Sequence, residues 1–174
     1  QASVEFELDG KIPSIFRCGD RSQPHLVQKL LEKASVSHPE GSPSLLSTQT
    51  VGTHHHVTIA SIAPHTVPGT KDSWVLSQKA DLAMKQGESV IVNRAITVAS
   101  SRDVDDPSEV PILASEVARD AIRAGYETSL KESSQVWEHR WKASSIEIKG
   151  PPRDQAYLRY STFSMLKMAP FHTD

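Results

Sequence analysis

The chain holds a single cysteine, Cys18, which excludes an intrachain disulfide and cannot by itself build a metal cage. A reducing cytoplasm is the expected setting. No apolar run approaches the ~18 residues that a membrane span needs, and no charged-then-apolar leader opens the sequence. Methionine is scarce: the chain starts at Gln1 and the first methionine is Met84, so truncation or processing at the N-terminus is expected. Neither charge sign is in excess, with 19 Lys and Arg against 21 Asp and Glu, which argues against a nucleic-acid or anionic-membrane partner.

A length of 174 residues suits one domain with a short extension. Folding at this size buries roughly 70% of the surface exposed by the unfolded chain, enough for a sizeable core. The first hundred residues alternate apolar and polar side chains in Val4 to Leu8, Val57 to Ile62 and Ser89 to Val98. Such alternation predicts half-buried strands of antiparallel sheets. Turn signals separate them at Asp9-Gly10, Gly19-Asp20, His38 to Pro43, Pro68-Gly69 and Gln86-Gly87. With no clear helix between the strands, a β-sandwich is favoured over a βαβ fold. Pro24 to Lys33 reads equally as a short helix or as a strand.

After Arg102 the period changes. Val110, Leu113, Val117 and Ala121 recur at helical spacing behind Ser108 as cap and Pro111 in the first turn, predicting a helix over 109–124. Gly125 interrupts it, and Tyr126, Leu130, Trp137 and Trp141 then share one face of a second helix. Ile146 and Ile148 suggest a brief strand over Ser145 to Ile148, Pro151-Pro152 breaks the chain, and residues 154–168 form a helix with apolar side chains on several faces. Such a helix requires cover on more than one side.

Several groups invite a chemical reading. His54, His55 and His56 are adjacent, but neighbours on a strand point to opposite faces, so only His54 and His56 converge and they need a third ligand such as His65 or Asp72. Histidines of a sheet surface beside a turn are the simpler account. Ser100 to Asp103, with Asp105 and Asp106, reads as a capped helix start rather than a catalytic carboxylate set. Cys18 lies near Arg17 and Arg21, with His25 and His38 as candidate bases, yet carries no nucleophile signature. Glu138, His139, Arg140 and Lys142 surround the tryptophans and point mostly to solvent. The tryptophans could stack on sugar rings, although a stripe at helical spacing is more often a core or a domain interface. Arg159 sits on a largely apolar helix and needs a partner, and Gln155 lies one turn earlier. A buried Arg159–Gln155 pair at a domain junction is the expected arrangement.

With these pieces in order, the chain resembles glycoside hydrolase family 65, the inverting disaccharide phosphorylases and related trehalases. The resemblance rests on Gly87-Glu88, Ser101 to Asp103, the helix end from Ala121 to Tyr126, Trp137 and Trp141, Ile146 to Gly150, and Gln155 to Leu166. Leu8 to Gly10 and Pro24 to Leu26 add weaker support, and Leu45 to Ala63 agrees only in pattern. The resemblance implies an α+β chain: a partial antiparallel β-sandwich of the galactose-mutarotase-like supersandwich type over 1–104, then linker helices over 105–174 leading toward an (α/α)6 barrel.

In this family a glutamic acid protonates the glycosidic oxygen while inorganic phosphate, the co-substrate, attacks from the opposite face with inversion. Those groups lie in the barrel, beyond Leu166, and the stretch from Lys167 to Asp174 departs from the family pattern. The resemblance therefore assigns no catalytic, cofactor or metal residue here. It assigns a domain interface to Trp137, Trp141, Gln155, Arg159 and Phe163. The implied partner is an α-glucoside disaccharide in the complete enzyme, with no nucleic acid, no membrane and homodimerisation left open; the chain alone is expected to be inactive. The competing expectation is a free-standing β-sandwich that binds carbohydrate or protein through the helices bearing Trp137 and Phe163.

Overall fold

A computed structural model describes residues 2–11, 13–16 and 26–168. Cys18 and His25 lie outside them. In chain order the elements are β1 (Ala2–Asp9), β2 (Pro13–Phe16), β3 (Leu26–Lys29), β4 (Leu31–Ser37), β5 (Ser44–Thr50), β6 (His56–Ile62), β7 (Val67–Asp72), β8 (Val75–Leu82), β9 (Ala95–Ser100), a single 3-10 turn (Pro107–Glu109), and the helices α1 (Val110–Ala124), α2 (Tyr126–Ser144) and α3 (Pro152–Met168). The chain divides into two compact units, one ending at Gly125 and one beginning at Tyr126.

In the first unit all pairings are antiparallel, in a three-stranded sheet β1-β8-β7, a four-stranded sheet β4-β5-β6-β9 and the separate pair β2-β3. β1 shows why: Val4, Phe6 and Leu8 are half-buried while Glu5 and Glu7 between them are exposed, the period of two that a pleated strand imposes. The larger sheet buries both faces. On one, Leu45, Ala60 and Ala99 pack under Val110, Ala114 and Ala118 of α1, with Ile62, Val104 and Leu113 at the margin. Four of those six core residues are alanines, so helix and sheet approach closely. Thr97 Oγ1 adds a 2.6 Å hydrogen bond to the carbonyl of Ala114.

The other face of this sheet meets the smaller one, where Leu46 of β5 and Leu76 of β8 are fully buried. Gly10 follows β1 here, and a Cβ on it would lie 3.0 Å from the Leu46 side chain, so the close approach needs glycine. His38 joins the sheets at one end, its ring nitrogens 2.9 Å from Ser44 Oγ and 2.7 Å from Thr70 Oγ1.

The structure decides one open expectation and alters others. The stretch open to helix or strand at Pro24 to Lys33 falls, where it is described, in the strands β3 and β4 and the residue between them. Pro68-Gly69 does not turn but lies within β7, an edge strand where a missing N–H does no harm. Ser89 to Arg94 stays outside the sheet: the β6–β9 register ends at Ile62 and Ala95, because Pro64 and the left-handed His65 (φ 63°) divert β6. Ser145 to Ile148 is likewise not a strand. The cap also moves: Asp106, not Ser108, caps the 3-10 turn leading into α1, accepting from the Ser108 backbone N–H at 2.9 Å. Hydrogen bonds from Ser108 hold the Asp106 carboxyl below the ordinary aspartate range. α1 packs into the first unit.

The second unit holds α2 and α3, neither of which buries a residue completely. Gly125, at φ 81° and ψ 165°, separates α2 from α1 in a region of backbone space that side chains rarely enter. Helices without a buried face depend mainly on propensity. We therefore expect amides of α2 and α3 to exchange with solvent at least tenfold faster than those of β5 and β6, read by hydrogen–deuterium exchange; equal protection would refute it.

Candidate functional site

Of the residues singled out in the second unit, Trp137 of α2 and Phe163 of α3 come together. Trp137 and Phe163 stack with ring centroids 5.2 Å apart and planes tilted by 38°. Arg140, one turn after Trp137, lies over the indole at 5.2 Å, and Lys167, one turn after Phe163, lies over the phenyl ring at 5.8 Å. Helical spacing thus lines up a cation, two rings and a second cation. Aromatic pairs of this geometry contribute about 1 kcal/mol beyond the area they bury. Trp141 is half-buried on the same helix.

Gln155 has a different role from the one anticipated. Its Oε1 accepts from the Ile148 N–H and its Nε2 donates to the Ile146 carbonyl, each at 2.9 Å. One amide side chain thus gives residues 146–148 the two bonds a neighbouring strand would supply, although the segment belongs to no sheet. Arg159 is exposed on α3, so the buried Arg159–Gln155 pair does not form in this unit. Tyr157, Tyr160, Met165 and Met168 also stand exposed on α3, and Tyr126, Leu130 and Val136 on α2.

The remaining candidates separate. His54, left-handed at φ 55°, directs Nδ1 to Glu32 at 3.4 Å; His55 Nδ1 lies 3.1 Å from Ser101 Oγ; His56 opens β6, and its carbonyl accepts from the Ser101 N–H. Asp72 pairs with Lys11 and also accepts from the Trp74 N–H. Among the described residues no three His, Cys, Asp or Glu side chains converge as metal ligands. Asp103 accepts from both the backbone N–H and the hydroxyl of Ser100, closing the strand exit. An open cleft of about 380 Å³ lined by Asp81, Ala83, Met84, Lys85 and Glu88 lies beyond β8, with Glu88 already accepting from the Lys85 N–H.

Sequence reasoning passed over one polar relay between the sheets. Ser61 Oγ donates to Gln78 Oε1 at 2.6 Å, and Arg94 Nε donates to Ser61 Oγ at 3.0 Å. The Arg94 guanidinium lies over the Phe6 ring at 5.0 Å, and burial lowers its pKa. Its Nη2, sealed from solvent, has no hydrogen-bond acceptor among the described residues. The charged Arg94 within the alternating stretch from Ser89 to Val98 was the available signal.

These features define an antiparallel β-sandwich closed on one side by a helix and followed by a helix pair, with structural rather than reactive groupings at its polar positions. Comparison with known proteins agrees. Residues 1–140 match the family described as "Glycosyl hydrolase family 65, N-terminal domain", and the chain belongs to that family. It is 33% identical over 89 residues to the nigerose phosphorylase of Lachnoclostridium phytofermentans, covering 51% of this chain and 11% of that protein. It is 31% identical over 74 residues to the maltose phosphorylase of Bacillus subtilis, 42% of this chain and 10% of the relative. With the kojibiose phosphorylase of Halothermothrix orenii the identity is 25% over 100 residues, 54% of this chain and 13% of the relative. The matched stretch thus spans about a tenth of each relative's length. No helix among the described residues is long and apolar enough to cross a membrane.

Proposed function

We propose that this chain is the non-catalytic N-terminal part of a cytoplasmic enzyme that cleaves an α-linked glucose disaccharide with inversion, using inorganic phosphate as acceptor. The observation that carries this reading is the family match over residues 1–140, joined by relatives named as phosphorylases of nigerose, maltose and kojibiose. In such an enzyme an acid and a nucleophile act on opposite faces of the sugar. Both belong to the barrel in this reading. The sandwich is then a scaffold, and Trp137, Trp141, Gln155, Arg159 and Phe163 belong to the interface that the barrel covers. Exposed apolar side chains on α2 and α3 support that role.

The chain should release no glucose 1-phosphate from nigerose, maltose, kojibiose or trehalose with phosphate, and no glucose without it. Turnover lost on substitution within these residues would overturn the reading. Thermal stabilisation by one of these sugars, without turnover, would favour a carbohydrate-binding module instead.

A further inference from the structure

One residue separates the first two long helices. α1 ends at Ala124 and α2 begins at Tyr126. From Val110 to Ser144 Gly125 is the single glycine, and the single proline, Pro111, stands in the first turn of α1, where a helix tolerates it. No other helix breaker marks the junction. The N–H of Gly125 still donates to the Ala121 carbonyl at 3.1 Å, the i to i−4 bond of a helix, and the chain leaves helical space at Gly125 itself, at φ 81° and ψ 165°.

That conformation is the reason for the glycine. A Cβ built at this position meets nothing within 4 Å among the described residues, so no close approach demands the missing side chain. The torsion angles alone disfavour any other residue. Were residue 125 helical, the ladder of α1 would pass into α2 and run from Val110 to Ser144. Extending a helix is far easier than starting one, so the buried face of α1, with Val110, Ala114 and Ala118, would then order the first turns of α2 as well. α2 by itself buries no residue completely.

From this we infer that Gly125 is a hinge that insulates the first unit from the second. It stops the order that the sheet imposes on α1 from spreading into α2, and it lets the pair α2–α3 turn about one residue while the sandwich stays folded. Hinges are a few element-terminal residues that absorb large changes in φ and ψ, and glycine has the widest range of both. The stacked Trp137 and Phe163, with Arg140 and Lys167 over their rings, all belong to the second unit, so such a rotation breaks none of these contacts.

Spin labels at Glu116→Cys and Glu138→Cys, both exposed positions, in a chain that also carries Cys18→Ser, read the hinge by pulsed electron paramagnetic resonance. With Gly125 in place the distances should be broadly distributed. Gly125→Ala should give one narrow peak near the ~33 Å that separates these residues on a continuous helix. It should also slow amide exchange over residues 127–134 at least about fivefold, with β5 and β6 unchanged. Gly125→D-Ala, made by chemical ligation, accepts the observed torsion angles through its mirror-image preference and should behave as the parent. A narrow distribution in the parent, a Gly125→Ala chain with the parent's distances and exchange rates, or a D-alanine chain that behaves as the L-alanine one would overturn the proposal. These readouts are independent of the sugar assays.

Discussion

A chain cut after residue 104 should lose cooperative folding, while one cut after Gly125 should keep the transition of the first unit. Without α1 the apolar face bearing Leu45, Ala60 and Ala99 has no cover, and Val110, Ala114 and Ala118 are gone from the core. At about 25 cal/mol per Å² of apolar surface, removing such a layer costs on the order of 5 kcal/mol. Whole domains are stable by only about 5–15 kcal/mol. Urea titration followed by far-ultraviolet circular dichroism distinguishes the cases: a broad or absent transition for 1–104 against a steep one for 1–125. Equal steepness and midpoint would show that α1 is only an attachment.

The second large effect is expected at Leu46. It is fully buried between the sheets and packs against Gly10, so truncation opens a cavity at the centre of the sandwich. Leu46→Ala should cost roughly 3 kcal/mol and lower the midpoint of thermal unfolding by about 10 °C. Val67→Ala, at a side chain 72% exposed, should change stability by less than about 0.5 kcal/mol. Calorimetry of the two variants tests the contrast, and a Leu46→Ala protein that melts with the parent would mean that the sheets do not depend on this contact.

Much of this fold was legible in the sequence because its signals are local. The alternation in β1 and β6 and the helical spacing of Val110, Leu113 and Val117 each report one face of one element. The register of partners is not local, and there the reading failed. Ser89 to Arg94 has the composition of a strand, but pairing ends where Pro64 and His65, far earlier in the chain, turn β6 away. Pro68-Gly69 looked like a turn because a proline is harmless in β7 only at the sheet's edge, a fact about neighbours.

The candidate interface divides in the same way. Trp137 and Phe163 were visible as large aromatic residues at helical positions, and they do meet. The partner of Gln155 was not, because helical periodicity pointed to Arg159 one turn away, whereas unsatisfied backbone at Ile146 and Ile148 had the stronger claim on an amide that both donates and accepts. The relay from Arg94 through Ser61 to Gln78 joins β8 to residues far from it in sequence, so no spacing rule could have exposed it.

The alanine seam beneath α1 has a consequence for how this sequence can drift. Ala60, Ala99, Ala114 and Ala118 hold the helix against the sheet by being small, so a single enlarged side chain cannot be absorbed by rotation of its neighbours. Substitution must arrive in compensating pairs or not at all. In a saturation library these four positions should accept glycine or serine and little else, while Ile112 and Val117 on the same helix vary widely. The imprint of this fold in its sequence is thus carried by volume at a few unremarkable residues more than by its tryptophans.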